Sequence, residues 1–406
     1  MADDAGTSVA RAGRLAEHEM DLTHTPDDER FRRTLRAWLD AHVEEAKRLP
    51  ASPADAVEHS RAWQRTLHAA GYVGLAWPRE YGGHDASPIR QAVFGEEYAR
   101  AGAPPLLGTI GIGILGPALI RHGTEEQKRT FLPRILTADD IWCQGFSEPG
   151  AGSDLAALRT RAVLDGDELV VTGQKVWTIL GPIATWCFLL VRTDPNATPQ
   201  HGISYVLMDM RSPGIRVVPI RQITGKRHFS ELFLDEVRIP RANVVGALHD
   251  GWTVAKATLD AERSGLAGVV ELERHLAGLR ALAAVTDRRS DRVVRQRLAQ
   301  LHIEMEALRC TGYRVLTRQS RGLPPGPESA IGKLAASEFR RGIMDTALEL
   351  QGPFAAIGRG NPQALDRGRW QGLYLDARAY TIGGGTSEIM RNIIAERTLG
   401  LPRSVA

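Results

Sequence analysis

Phe146-Ser147-Glu148-Pro149-Gly150-Ala151-Gly152-Ser153-Asp154 is the stretch on which the reading of this chain turns. Two others give it meaning: Gly173-Gln174-Lys175-Val176-Trp177-Thr178 a little downstream, and Gly383-Gly384-Gly385-Thr386-Ser387-Glu388 near the end. Alone, Gly-Ala-Gly-Ser is an ordinary turn; the three blocks together in one chain are far more specific. Outward from the first block, short apolar runs rich in β-branched and aromatic residues recur at 161–164, 168–171, 185–191, 203–208, 215–220 and 232–237, the signature of strands. Asp165-Gly166-Asp167 stands between the first two runs, and a glycine there accepts the positive φ of a hairpin turn. These features predict a small antiparallel β-domain over residues 141–246.

On either side the period changes. Phe31, Leu35, Trp38, Leu39 and Val43 recur at steps of three and four, giving one apolar helix face, and a helical domain is expected over 25–140. Thr124 followed by Glu125, Glu126 and Gln127 has capping-box spacing and marks a helix start. The helical period returns after Gly251, broken at 322–327 and 358–362 by Gly and Pro. This predicts a four-helix bundle domain over 247–406. The expected class is α+β: N-terminal helices, a middle β-domain and a C-terminal bundle, with residues 1–24 as a disordered tail.

Composition narrows the function classes. A chain of 406 residues, 43% of them hydrophobic, can bury a sizeable core in two or three subdomains. A formal net charge of +3 offers no argument for nucleic acid or an anionic membrane. Cys143, Cys187 and Cys310 lie far apart, which suggests neither a disulfide framework nor a metal site and fits a reducing cytoplasm. No N-terminal apolar stretch resembles a signal peptide. The uncharged segment 101–120 has membrane-spanning length, but its glycines and prolines suit a buried helix packed closely against neighbours or a ligand.

All three blocks resemble the acyl-CoA dehydrogenase family of flavoproteins, and the resemblance covers residues from about 27 to 403. It implies the same domain order, FAD as cofactor, and α,β-dehydrogenation of an acyl thioester by removal of an α-proton and transfer of a β-hydride to flavin N5. Phe146 and Ser147 would meet the flavin edge, and Ser153 the cofactor or the pantetheine arm. Trp177 would cover the ring, with Thr178 beside it, and Thr386 and Glu388 occupy family positions that contact FAD. The implied partners are an acyl-CoA or acyl carrier protein, an acceptor such as an electron-transfer flavoprotein, and further chains in a homodimer, homotetramer or heterotetramer.

Two departures from the family pattern matter. Just before the Gly-Thr pair the family usually carries its catalytic glutamate, and this chain has Gly384. Taking a proton beside a thioester carbonyl needs a positioned carboxylate in a dry pocket. A subset of the family, including bacterial FadE-like members, carries that glutamate on the neighbouring bundle helix. The match here is Glu262 in Leu259-Asp260-Ala261-Glu262-Arg263. Arg263 resembles the family arginine near the substrate. The plainer reading of a Glu-Arg neighbour pair is a solvated helix face. Asp260, two positions away and so on another face, is the reserve. Gly383 and Gly384 would leave space and amides near the substrate carbonyl. The second departure is Ile179, where a hydroxyl residue usually reaches flavin N5.

Three functions remain open on the sequence: the dehydrogenase, an oxidase or monooxygenase on the same scaffold, and one subunit of a heterotetramer. The last draws on Asp287-Arg288-Arg289-Ser290-Asp291-Arg292, which stands where the family's cross-subunit Arg-Phe-Gly motif is expected.

Overall fold

The computed structural model describes residues 24–48, 50, 52–262, 267–323, 326 and 328–403. The expected 1–24 tail, apart from His24, lies outside the described residues, as do Pro324, Pro325 and Pro327 of the linker. The fold divides into two compact units. One comprises His42–Ala86 and Ala103–Glu262; the other draws on Met1–Ala41, Ser87–Gly102 and Arg263–Ala406.

The first unit is built on an eight-stranded sheet. Its strands are β1 (Trp142–Gly145), β2 (Arg161–Asp165), β3 (Glu168–Ile179), β4 (Trp186–Arg192), β5 (Ile203–Asp209), β6 (Ile215–Ile220), β7 (Phe229–Pro240) and β8 (Val244–Val245). They run in the order β6-β7-β3-β2-β4-β5-β8, with β1 against β4. Most pairings are antiparallel, but β1 runs parallel to β4, Trp142 opposite Trp186. Such a pair needs a crossover rather than a tight turn, and here the β2–β3 hairpin supplies it, turning at Gly166 with φ +61°. β3 and β7 are each longer than their apolar runs. The Gly173–Thr178 block is itself strand, concealed because Gly173, Gln174 and Lys175 interrupt the apolar pattern.

Apolar residues on one face of the sheet, among them Leu169, Val171, Leu189, Val206, Leu232 and Val237, form a closed core. β4 is buried along nearly its whole length, so both of its faces are covered. Helices α2 (Pro53–Ala69), α4 (Gly116–His122), α5 (Glu125–Leu136) and α6 (Gly251–Glu262) belong to the same unit. From α5, Phe131 packs edge-on against Trp142 and Trp186, with centroids 5.4 and 5.0 Å away. The capping box at Thr124 and Gln127 is formed, and the Gln127 side chain also donates to Ala242 O and Val244 O.

The uncharged segment contains a helical turn at Gly111–Leu115, buried at its two ends, that leads into α4. A Cβ on Gly116 would fall 2.0 Å from the Trp77 ring, and Trp77 Nε1 donates to Ile112 O at 3.1 Å. Gly108, Gly111 and Gly116 thus serve packing, whereas Gly113 faces open space. Among the described residues no helix is long and apolar enough to cross a membrane.

The second unit contains α3 (Pro88–Arg100), α7 (Ala267–Val285), α8 (Arg292–Ser320), α9 (Glu328–Gln351), α10 (Arg369–Tyr380) and α11 (Ser387–Ile393), with most of α1 (Pro26–Ala46). Leu276 and Leu279 of α7, Leu301 and Met305 of α8, Ile343 and Met344 of α9 and Trp370 of α10 share one core. This is the bundle the Leu/Ala period predicted. Arg340 on α9 meets Glu271 on α7 through two hydrogen bonds of 3.1 and 2.9 Å and lies 4.1 Å from the Tyr380 ring centroid. Buried Glu97 on α3 ties Arg32 and Arg36 of α1 to Arg100.

Candidate functional site

In the sheet unit the chain leaves β1 at Phe146, whose buried ring packs edge-on against Phe188 and Tyr205 at 5.7 and 5.9 Å. The next residues form a tight loop closed by two backbone bonds between Glu148 and Ala151, 2.9 and 3.1 Å long. Ala151 is buried, whereas Pro149, Gly150, Gly152 and Ser153 are exposed. A Cβ on Gly150 or Gly152 would meet no protein atom within 4 Å, so these glycines leave open space beside the loop.

The loop is pinned from beneath. The Glu148 carboxylate accepts from Arg159 N at 2.7 Å, Thr160 N at 2.8 Å and Lys175 Nζ at 2.9 Å. Lys175 also donates to Phe146 O at 3.1 Å, and Val176 N donates to Ser147 O at 2.9 Å. Burial pulls the Lys175 ammonium down to about 8, against the opposing pull of Glu148. Burial pushes the Glu148 carboxyl up, but the lysine charge and the hydrogen bonds outweigh it and leave it below its ordinary value. Both are arranged to be charged at neutral pH, a buried pair whose desolvation is met by hydrogen bonds on each side.

Lys175 lies on the same strand as Trp177. Leu169, Val171 and Lys175 point inward at period two, which would send Trp177 inward as well. A bulge between Lys175 and Thr178 breaks the register with β7, and Trp177 takes φ +63°, a strained value for a bulky residue. The result is an outward Trp177, 57% exposed, an inward Thr178, and an outward Ile179, 42% exposed. Phe229 stands edge-on to Trp177 at 5.9 Å. The hydroxyls of Thr178 and its cross-strand partner Ser230 are buried and have no hydrogen-bond partner among the described residues.

Trp177 and Ile179 therefore form an apolar shelf next to a loop with open space and polar backbone. Such a surface suits a flat heteroaromatic group with a polar edge, so the residues present fit a flavin. Phe146, Ser147, Trp177 and Ile179 are brought together through the Ser147–Val176 bond, with Ser153 on the exposed arm of the same loop. Thr178 shares the strand but faces the interior.

Helix α6 enters against β5 at Gly251, where a Cβ would lie 2.3–2.6 Å from the backbone of Ser204 and Tyr205. Its Thr258 is buried and donates to Val254 O at 2.9 Å. Glu262 is the last residue of this helix, in the same unit as the Trp177 shelf. Arg263 lies outside the described residues.

In the bundle unit, Gly383–Gly385 form a turn after α10, with Gly384 at φ +66° and Gly385 at φ +97°. The Gly383 amide is committed to Ala379 O at 2.9 Å, and Lys333 on α9 donates to Gly385 O. Thr386 caps α11 by accepting from Ile389 N at 3.2 Å. Ser387 donates to Glu338 at 2.9 Å, and Glu388 is exposed. Among the described residues no group of three or more His, Cys, Asp or Glu side chains could hold a metal ion.

Sequence inspection did not single out the Glu148–Lys175 pair. The signal was present: a lysine at an inward parity position of a strand must find a partner, although only the fold reveals which one.

The family models of the acyl-CoA dehydrogenase N-terminal, middle and C-terminal domains match residues 25–139, 143–237 and 249–399. Acyl-CoA dehydrogenase IpdE1 of Mycobacterium tuberculosis is 43% identical over 385 residues, 93% of this chain and 98% of that protein. IpdE1 of Mycolicibacterium smegmatis is 41% identical, covering 92% and 98%. Among solved structures, the ChsE4–ChsE5 complex of Mycobacterium tuberculosis superposes with a TM-score of 0.82 at 33% identity, covering 95% of this chain and all of that one. The Tcur3481–Tcur3483 steroid ACAD gives 0.82 at 30%, with the same coverage.

Proposed function

Because this chain belongs to the acyl-CoA dehydrogenase family, we propose that it dehydrogenates a branched or ring-bearing acyl-CoA to the 2-enoyl-CoA, with Glu262 as the base. It is an FAD-binding oxidoreductase acting on CH–CH groups. FAD, when bound, supplies the acceptor for the β-hydride. The observation that carries this reading is the outward Trp177 on its strained bulge beside the pinned 146–153 loop.

In this mechanism the Trp177 ring covers the cofactor face and keeps water out. Phe146 and Ser147 would hold the polar edge of a bound flavin, while Ile179, which has no hydroxyl, would offer only its backbone amide to the ring. Ser153 meets the cofactor or the pantetheine arm, and Thr178 braces the strand from within. Glu262 takes the α-proton onto its carboxylate, so it acts in its deprotonated form, and Arg263 matches the family arginine that serves the substrate. Gly384 brings no carboxylate. With Gly383 it leaves side-chain space for a bulky acyl group, in keeping with the steroid named for one structural relative. Thr386 and Glu388, in the bundle unit, stand at family positions that would contact FAD. An electron-transfer flavoprotein receives the electrons in the cytoplasm.

A second reading concerns assembly. The Asp287–Arg292 segment lacks the family's Arg-Phe-Gly motif, Arg288 is engaged with Asp291 at 2.7 Å, and two of the structural relatives are pairs of named chains. These three points favour a heterotetramer with a related chain over a homotetramer or homodimer.

Anaerobic titration of the flavin-loaded protein with straight, branched and ring-bearing acyl-CoAs tests the proposal through the long-wavelength flavin band. Bleaching is expected with ring-bearing thioesters, and Glu262→Gln should keep its flavin but lose at least about a hundredfold in reduction rate. Unchanged reduction in that variant would remove the assigned base. A bound flavin that no CoA thioester reduces would turn the reading toward a carrier-bound substrate or oxygen chemistry.

A further inference from the structure

A buried lysine at 0% exposure, paired with a carboxylate at 9%, is costly in a sheet that could bury an apolar side chain instead. The surroundings are built around this one. Gly145 leaves room: a Cβ there would fall 2.6 Å from Leu189, 3.0 Å from Cys187 Sγ and 3.7 Å from Cγ of Lys175. Gly173 makes room in the same way for Thr160, whose atoms would lie 2.5–2.8 Å from a Cβ at that position. That closeness brings Thr160 N to Glu148. Among the described residues the pair makes four hydrogen bonds, one within itself and three to the backbone groups Phe146 O, Arg159 N and Thr160 N, and every bond converges on 146–148 from β3 or from the approach to β2.

We infer that Glu148 and Lys175 act as a clamp that sets the Phe146–Ser147 peptide against the Trp177 bulge, so that loop and ring present one preformed surface to the flavin. Lys175 grips Phe146 O, its neighbour Val176 grips Ser147 O, and Glu148 anchors the loop through Arg159 N and Thr160 N. The next residue but one after Lys175 is Trp177, so displacing the lysine moves the loop and the ring together. These two are positioning residues: neither touches the reacting atoms. The inference rests on the flavin role proposed for this loop, and it explains why a lysine occupies a core position on β3.

The test compares the full-length wild type with Glu148→Gln, Lys175→Met and the double variant E148Q/K175M. Val206→Ala serves as a control, since Val206 is buried in the sheet core and makes no part of the clamp. Each deflavinated protein is titrated with FAD by fluorescence quenching, the visible circular dichroism of the bound flavin is recorded, and the apoprotein is melted. The single variants should bind FAD about tenfold to a hundredfold more weakly and change the flavin dichroism. The double variant should bind better than Lys175→Met alone, because it leaves no unpaired charge, yet remain weaker than wild type.

Val206→Ala should lose melting temperature while keeping wild-type affinity and dichroism. If a single variant does not fold, the double variant carries the comparison against Val206→Ala. Wild-type affinity and dichroism in the clamp variants would overturn the inference, as would an equal loss in Val206→Ala at matched destabilisation; in both cases the flavin reading stands. A wild type that binds no FAD would overturn the flavin reading itself, and the clamp's role with it.

Discussion

Replacing Glu97 by glutamine removes the single carboxylate at the centre of three guanidinium groups. Arg36 donates to it through Nε and Nη2 at 2.8 and 2.6 Å, Arg100 at 2.7 Å and Arg32 at 3.2 Å. Burial pushes this carboxyl up, but the hydrogen bonds from Arg36, Arg100 and Arg32 outweigh it and pull it down to about 2, from an ordinary value of 4.5. That displacement corresponds to about 3 kcal/mol. Arg36 and Arg100 are nearly half exposed and can return to water, which lowers the expected loss to about 2 kcal/mol.

The sign follows from linkage. With the folded value depressed, the contribution is complete above pH 4.5 and drains away as pH falls toward 2, because there the unfolded chain binds the proton more readily. Urea unfolding of wild type and Glu97→Gln, followed by far-ultraviolet circular dichroism, should give a gap of about 2 kcal/mol at pH 7 that closes as the pH is lowered toward 2. A gap below about 0.5 kcal/mol at pH 7, the size of an ordinary surface substitution, would refute the reasoning. So would a gap that stays constant with pH.

Gly173→Ala should cost about 1–3 kcal/mol through overpacking against Thr160, read as a lowered melting temperature; an unchanged melting temperature would mean that Thr160 yields freely. Gly384→Ala places a side chain at φ +66°, a conformation costing roughly 1–2 kcal/mol. It should raise KM for ring-bearing acyl-CoAs more than for straight short-chain ones, and an equal effect on both would dismiss Gly384 as a contributor to acyl space.

Much of the fold was legible because its signals are local. The capping box at Thr124, the Gly166 hairpin and the 3.6-residue period of α1 each depend on neighbours within a few positions, and each stands where the sequence placed it. β3 was only partly visible. Its second half carries Gly173, Gln174, Lys175 and an irregular Trp177, so the alternation that identifies a strand is missing just where the candidate site lies. Functional strands break local rules in this way.

The sequence by itself determined the family and the order of helices, strands and helices. It also determined that no carboxylate stands at 384, since residue type and periodicity are properties of the chain alone. Only the tertiary structure decided that Trp177 faces outward while Thr178 turns inward, because that depends on a bulge against β7, a strand distant in sequence. Nor could the chain alone show that Lys175 belongs with Glu148, or that Glu97 gathers arginines from α1 and α3. Pairing between charges distant in sequence is set by which backbones the packed cores bring within hydrogen-bonding reach, and no local pattern encodes it.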